Sequence, residues 1–405
     1  MPENVPQNRK RDESRPHVLI ATNALTGGGA QRSNMQIALG LAQNGFLTSI
    51  LSVRPHDGAG VVTLDSSTSL YSVNEVRWPR WTRAPHVLRH ILRVVRDEEV
   101  DLIIAGSFGL NQTLLAARAL GMLRCPLIVV EHLGIRFRLD VLSRSNSFVA
   151  TIFRHVLSWL YRHATKVVAV SEGVANEFQE VLRLPPNAVM RIYNGVDRDA
   201  IVSEASARPE TKFAEHFDKL SRPIVITAGR LEAQKAHDDL VRAFARLPDA
   251  MRGSLVILGE GSRRDSLTSL SKELGLHASV HLPGHVENPW WFISKSDVFA
   301  LSSHFEGFGL VLIEALACNV PIVSTDCPSG PREILQDVEQ AQLVPVGDPK
   351  AFSDALHLLL QSARLDPRPR GPYPSAASAA GTFSTKLNAE RFTKLVEDSL
   401  FPIDP

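Results

Sequence analysis

Cysteine is scarce. Cys125, Cys318 and Cys327 are the only three in 405 residues, too few and too irregularly spaced for a disulfide framework or a thiolate zinc site, so a reducing cytosol is the expected setting. Long apolar runs are missing too: no stretch approaches the ~18 uncharged apolar residues of a membrane span. The opening MPENVPQNRKRDESRP lacks the apolar core of a signal peptide, which argues against secretion by that route. Nor is there bulk charge of one sign. Lys and Arg number 44 against 43 Asp and Glu, a net charge of +1, which argues against a nucleic-acid binder held by charge. What remains is ordinary: 44% hydrophobic and 21% charged residues exclude a disordered, collagen-like or coiled-coil chain. At roughly 100–200 residues per domain, the length predicts two or three domains.

Charge is unevenly spread within this balance. Residues 1–200 carry 23 basic and 17 acidic side chains, a net of +6, which leaves −5 for residues 201–405. Part of the excess lies in 77–96, RWPRWTRAPHVLRHILRVVR, where Arg77, Arg80, Arg83, Arg89, Arg93 and Arg96 interleave with Trp78, Trp81, Leu88, Ile91 and Leu92 and no acid intervenes. FVATIFRHVLSWLYRHATK, residues 148–166, is a second aromatic and basic stretch. Both suit an anionic lipid surface; the competing reading is a helix with its apolar face in the core and its arginines solvated.

From His17 the pattern becomes strand, glycine loop, helix: HVLIATNAL, TGGGAQ, then RSNMQIALGLAQNG with helical apolar spacing. FLTSILSV, VDLIIAGS, PLIVVEH and KVVAVSE continue as buried strands alternating with helices. A second series starts after Ser221, with PIVITAG, SLVILGE, SVHLPG, DVFALS and PIVSTD as its strands. Such alternation predicts two α/β halves with parallel sheets. The expected division is a disordered tail over 1–16, a first domain over 17–200, a second over 201–381, and a C-terminal helix within 382–405 docking on the first domain. LDPRPRGPYPSAASAAG, 365–381, reads as a linker before that helix.

Several segments carry chemistry. Gly27-Gly28-Gly29 falls between the first strand and its helix, where backbone N–H groups and the helix dipole can hold an anion, although GGGAQR matches neither GxGxxG nor a P-loop. TAGRLEAQKAHDDL places Arg230 and Lys235 just beyond a strand, on the side of an open α/β sheet that binds ligands. SSHFEGFGLVLIEAL puts Glu306 before a Gly-Phe-Gly turn and Glu314 eight positions later in a helix beginning near Gly309. Carboxylates accept from sugar and ribose hydroxyls, and the turn's N–H groups suit phosphate. Asp197-Arg198-Asp199 has DxD spacing but reads as a turn at the domain joint.

Together these segments, with LGEG at 258–261 and IYNGVD at 192–197, resemble glycosyltransferase family 4 over nearly the whole chain from His17, in the family's order. The resemblance implies a GT-B architecture, with two Rossmann-like domains facing a cleft, and a retaining, metal-independent transfer from a nucleotide sugar. It implies that Arg230 and Lys235 bind the diphosphate, Glu314 the ribose and Glu306 the donor sugar. The backbone of Gly307, Phe308, Gly309 and Leu310 would support sugar and phosphate, and Gly28 and Gly29 would close on the phosphate from the first domain. His132, in VVEHLG, would approach the donor sugar, and the loop from Gly284 through His285 and Val286 to Asn288 would lie near the base. NPWW and DCPSGPREIL resemble members that use UDP-hexoses or UDP-N-acetylhexosamines. The expected acceptor is a saccharide or lipid-linked saccharide of envelope or capsule assembly, handled in the cytoplasm with the enzyme peripheral on the membrane's inner face. Readings that keep the fold but change the activity are a nucleotide-sugar epimerase, a phosphorylase, or a non-catalytic sugar-nucleotide or saccharide-binding protein.

Overall fold

The computed structural model describes residues 15–25, 27–54, 68–73, 80–365 and 374–402. Most of the N-terminal tail, Arg77, Trp78 and the proline-rich segment 366–373 lie outside these residues, as do the side chains of Arg80, Trp81 and Arg83. The first half runs β1 (His17–Thr22), α1 (Gly29–Gln43), β2 (Leu47–Ser52), β3 (Ser69–Ser72), α2 (Arg80–Asp97), β4 (Leu102–Ala105), α3 (Phe108–Ala119), β5 (Leu127–Glu131), α4 (Arg136–Ser145), α5 (Ser147–Tyr161), β6 (Lys166–Ala169), α6 (Glu172–Leu182) and β7 (Val189–Arg191). The second continues with α7 (Arg198–Ser206), α8 (Lys212–Phe217), β8 (Ile224–Ala228), α9 (His237–Ala245), β9 (Ser254–Leu258), α10 (Arg264–Glu273), β10 (Val280–Gly284), α11 (Pro289–Ser294), β11 (Val298–Leu301), α12 (Leu310–Ala317), β12 (Ile322–Thr325), α13 (Pro331–Leu335), β13 (Ala341–Val344) and α14 (Pro349–Leu365), and ends with α15 (Pro374–Thr382) and α16 (Thr385–Leu400).

Each half is built on one parallel sheet. The strand orders are β3-β2-β1-β4-β5-β6-β7 and β10-β9-β8-β11-β12-β13, so both have the doubly wound Rossmann arrangement. Helices cover both faces, which is why β1, β5 and β9 are buried along their whole length and read as continuous apolar runs rather than alternations. Strand order reverses between β1 and β4 and between β8 and β11. The loops leaving those strands therefore open into each half's ligand crevice.

Two backbone crossings join the halves. The first follows β7 through residues 192–197, and α7, the next helix, packs on α11 and α12 of the second half. The second returns at Phe383 and Ser384 into α16, which packs along α1. The crossings pair with each other, Val196 N donating to Phe383 O at 2.8 Å and Thr385 N to Val196 O at 3.2 Å. Gly195 is required there, since a Cβ would lie 2.7 Å from the Ser384 carbonyl. A single apolar cluster runs from Ile20 and Met35 through Val196 to Phe292 and Phe308, so the halves share a core at this joint. The predicted linker is corrected in part: Pro374–Thr382 is helical and packs on α12, as its alanine content and leading proline favour.

Candidate functional site

The site starts from the loops that leave β8 and β11. After β8, Gly229 N donates to Leu258 O and Leu231 N to Glu260 O, tying this loop to the one after β9. The chain then turns through Lys235, whose Nζ lies 2.6 Å from Glu306 Oε1. Ser303 Oγ donates to the same oxygen at 2.6 Å, Ser302 Oγ donates to the Lys235 carbonyl, and Gln234 Nε2 donates to Phe305 O. Lys235 and Glu306 are both largely enclosed, at 16% and 7% side-chain exposure. An unpaired charge there would be costly, and the pairing removes that cost. Arg230 is exposed and has no ion pair among the described residues.

The Gly-Phe-Gly turn is held by backbone demands that only glycine meets. Gly309, at φ +92°, caps α12, and a Cβ on Gly307 would collide with the His132 carbonyl across the cleft. Phe308 points away from the cleft, stacked on Tyr193 of the first crossing at 5.2 Å and edge-on to Phe383 of the second. Only the backbone of this turn is therefore free to face a ligand. Leu310 opens α12 beside Gly29, and Glu314, one turn further, is 4% exposed. Its Oε2 accepts from Trp290 Nε1 at 3.1 Å, and its Oε1 lies 2.7 Å from Arg32 of the first half. Gly284, at φ +90°, ends β10, and its carbonyl accepts from Gly259 N. His285 is exposed beyond it, Val286 packs on the core, and Asn288 caps α11.

From the first half come two loops. Gly28 precedes α1 in extended geometry, and Gly29 abuts Leu310 closely enough that a Cβ would reach Leu310 Cδ1 at 3.2 Å. His132 follows β5. Its Nε2 lies 3.2 Å from Asn34 Oδ1, and because the Asn34 amide nitrogen donates to Thr22 Oγ1 and Gly106 O, the oxygen faces the ring and Nε2 carries the proton. Nδ1 then holds a lone pair, enclosed and without a hydrogen-bond partner among the described residues. Burial pushes the His132 pKa down to about 4, so the ring is a neutral acceptor near pH 7.

Sequence reasoning missed two site residues. Arg32 is one. Glu131, buried at the end of β5 beside His132, is the other; it accepts from Tyr161 Oη at 2.5 Å and Asn111 Nδ2 at 2.6 Å, and burial raises its pKa to about 7. A carboxylate closing the apolar run LIVV was the available signal. Asp197, by contrast, is used locally: it caps α7 by accepting from Ala200 N, while Asp199 is 96% exposed. No group of three or more His, Cys, Asp or Glu able to hold a metal occurs among the described residues.

The halves meet around this cleft in further places. Glu333 of α13 accepts from Glu172 N and Gly173 N at the start of α6, a carboxylate on a helix N-terminus. Phe137 of α4 stacks on Phe305 at 4.1 Å. Beyond Phe137, α4 and α5 expose Val141, Phe148, Val149, Ile152, Val156 and Trp159. In the described part of the basic segment, Ile91 is buried in the core and Leu88 and Leu92 pack against it, while Arg89, Arg93 and Arg96 are exposed; Arg77, Trp78 and the side chains of Arg80, Trp81 and Arg83 lie outside the described residues. No helix among the described residues is long and apolar enough to cross a membrane.

Known proteins resemble this arrangement. The profile of glycosyl transferases group 1 matches residues 209–370, and that of glycosyltransferase family 4 matches residues 27–200. An N-acetylgalactosamine-N,N'-diacetylbacillosaminyl-diphospho-undecaprenol 4-alpha-N-acetylgalactosaminyltransferase of Campylobacter jejuni is 35% identical over 226 residues, covering 56% of this chain and 59% of that protein. The match thus spans little more than half of that relative. Among solved structures, Anabaena HepE in complex with UDP-glucose superposes with a TM-score of 0.74 at 20% identity, covering 94% of this chain and 99% of that one. A sucrose-phosphate synthase of Thermosynechococcus elongatus reaches 0.77 at 18% identity, covering 95% and 98%. With a profile on each half and the same two-domain fold throughout, the chain belongs to the family-4 glycosyltransferases of GT-B architecture.

Proposed function

We propose that the protein transfers a hexose or N-acetylhexosamine, with retention of configuration, from a nucleotide-diphospho sugar to a saccharide or lipid-linked saccharide acceptor in envelope or capsule polysaccharide assembly. The observation that carries this reading is the enclosed Lys235–Glu306 pair in the loops that follow β8 and β11, with the exposed Arg230 on the same loop as Lys235 and Gly307 against the His132 loop. Arg230 and Lys235 supply positive charge where a diphosphate leaves. Glu306, with Oε1 fixed by Lys235 and Ser303, offers Oε2 to donor-sugar hydroxyls. His132 offers its bare Nδ1 to the sugar from the opposite wall. Gly28 and Gly29 approach the phosphate through backbone N–H groups at the start of α1.

Same-face substitution suits these groups. As the diphosphate departs, an oxocarbenium-like centre develops, the acceptor hydroxyl enters from the leaving-group side, and a phosphate oxygen takes its proton. Preorganised charge at Arg230 and Lys235 would supply most of the acceleration, and neutral His132 would act as a hydrogen-bond acceptor rather than an acid. No metal has a part in this scheme. UDP is the favoured donor nucleotide; HepE, with the same fold, is described in complex with UDP-glucose. A lipid-linked acceptor agrees with the diphospho-undecaprenol acceptor in the Campylobacter relative's name, and with the exposed apolar stripe of α4 and α5, which suits peripheral contact with an anionic membrane.

Thermal unfolding with UDP, GDP, ADP and their sugar conjugates tests the reading. One nucleotide series should stabilise the wild type, by about 2.7 kcal/mol at 100 times its dissociation constant; Arg230→Ala should abolish the shift and Glu314→Ala should only reduce it. Stabilisation by none of them would refute it. Transfer should also survive chelator; loss on chelation with rescue by magnesium or manganese would overturn the metal-free scheme.

A further inference from the structure

The first two turns of α1 touch three parts of the cleft through consecutive residues. Arg32 reaches Glu314 in the second half, Ser33 Oγ donates to Asn194 Oδ1 in the first crossing at 2.6 Å, and Asn34 holds His132. Of these, the Arg32 contact is the one a donor must disturb. Both oxygens of Glu314 are already engaged, one by Arg32 and one by Trp290. A carboxylate only 4% exposed cannot stay enclosed without such partners.

We propose that Arg32 is an internal competitor for the donor's ribose: it satisfies Glu314 when no donor is bound, allowing the cleft to close empty, and it must yield when ribose hydroxyls donate to that carboxylate. The proposal rests on the reading of Glu314 as the ribose acceptor. Arg32 is 46% exposed, so it can leave into solvent at little cost, whereas Glu314 cannot follow it. The competition also sets specificity. A nucleotide lacking ribose hydroxyls leaves Arg32 in place and loses little, so the wild type discriminates weakly; without Arg32, only a nucleotide with those hydroxyls can satisfy Glu314 in the closed cleft.

Calorimetric binding of UDP and 2′,3′-dideoxy-UDP to wild type, Arg32→Ala and Arg32→Lys tests this. Arg32→Ala should raise the affinity ratio of UDP over the dideoxy nucleotide by about two- to fivefold, the range of a half-exposed ion pair. Arg32→Lys should stay near wild type. An unchanged or smaller ratio in Arg32→Ala overturns the proposal, and equal weakening of both nucleotides would make Arg32 a diphosphate ligand instead. Small-angle scattering of the nucleotide-free protein gives a readout that needs no nucleotide. Arg32→Ala and Glu314→Gln should each increase the radius of gyration, and the double variant should add nothing further. If the wild type binds no nucleotide yet scattering responds in this way, the ribose reading fails while the ion-pair closure stands; no change in scattering removes the closure itself.

Discussion

The two halves share a strand order and differ in what they place at the carboxyl ends of their strands. The second half stitches its loops together around charge: Lys235, Glu306 and Ser303 converge within hydrogen-bonding distance, and Glu314 is enclosed beside them. The first half brings backbone N–H groups at Gly28 and Gly29, a neutral histidine, and then a run of exposed apolar side chains along α4 and α5. The same topology thus gathers hydrogen-bonded charge on one side and, on the other, a few polar groups followed by an exposed apolar stripe. Such a division suits a donor with fixed, charged chemistry and an acceptor recognised by shape and surface.

Breaking the polar side should have the largest effect. Lys235→Ala and Glu306→Gln are expected to lower the transfer rate by about 10²- to 10³-fold, the first by removing positive charge at the departing diphosphate and the second by weakening both the hold on Lys235 and the hydrogen bonds to the donor sugar. Lys235→Ala should also destabilise the fold by about 3 kcal/mol, because it strands an enclosed carboxylate, whereas Arg230→Ala should stay within about 0.5 kcal/mol. Denaturant unfolding separates the two; equal stability losses would show that the Lys235 pair is not enclosed in solution. Next comes the contact between the halves. Gly307→Ala drives a methyl group into the His132 carbonyl and should cost about 100-fold in transfer through misplacement alone. Stabilisation by the free nucleoside diphosphate should persist. Full activity in that variant would mean that the cleft turns over without bringing these loops together.

The apolar stripe is tested by lipid. Sedimentation with vesicles containing phosphatidylglycerol should pull down the wild type, and Phe148→Ser or Trp159→Ser should each weaken partitioning by about tenfold, the loss for one large apolar side chain leaving an interface. Leu358→Ser, at an equally exposed apolar position on α14 in the second half, should change nothing. Absence of binding by the wild type, or equal effects in both halves, would remove the membrane from the comparison.

Sequence periodicity revealed the nine inner strands, because parallel strands covered on both faces must be largely apolar, and also β10 at one edge. It missed β3, β7 and β13, which sit at or near sheet edges, span only three or four residues and bury little. Arg230, Lys235, Glu306 and Glu314 were singled out by the family resemblance rather than by spacing, since a charge after an apolar strand by itself reads equally well as a solvated turn residue; the fold then brings Lys235 to Glu306 and encloses Glu314. Arg32 was not legible, since its partner lies 282 positions away and only tertiary closure joins them. The two aromatic and basic stretches read alike in sequence, because periodicity identifies an apolar face without saying whether core or solvent meets it; the fold exposes Phe148, Val149, Ile152, Val156 and Trp159 but buries Ile91.

The smallest expected effect concerns the buried titratable groups beside the cleft, where opposite signs compete. His132 and His237 stay neutral in the fold, burial lowering each pKa to about 4 from 6.5. The unfolded chain therefore takes up protons that the fold refuses, and stability is lost as pH falls from about 6.5 toward 4. Glu131 runs the other way. Its folded pKa of about 7 lies above the ordinary 4.5, so the fold holds a proton that the unfolded chain releases, and stability is lost as pH rises from about 4.5 to 7. Between pH 4.5 and 6.5 the two trends offset each other. Glu131→Gln keeps an oxygen to accept from Tyr161 and Asn111 but removes the titration, so it should gain a few degrees in Tm over wild type at pH 8 relative to the difference at pH 5. Its stability should also fall more steeply with acid between pH 6.5 and 4.5, since the histidines then act unopposed. Parallel pH profiles for the variant and the wild type would show instead that Glu131 is ionised in the fold, held by its two donors strongly enough to overcome burial.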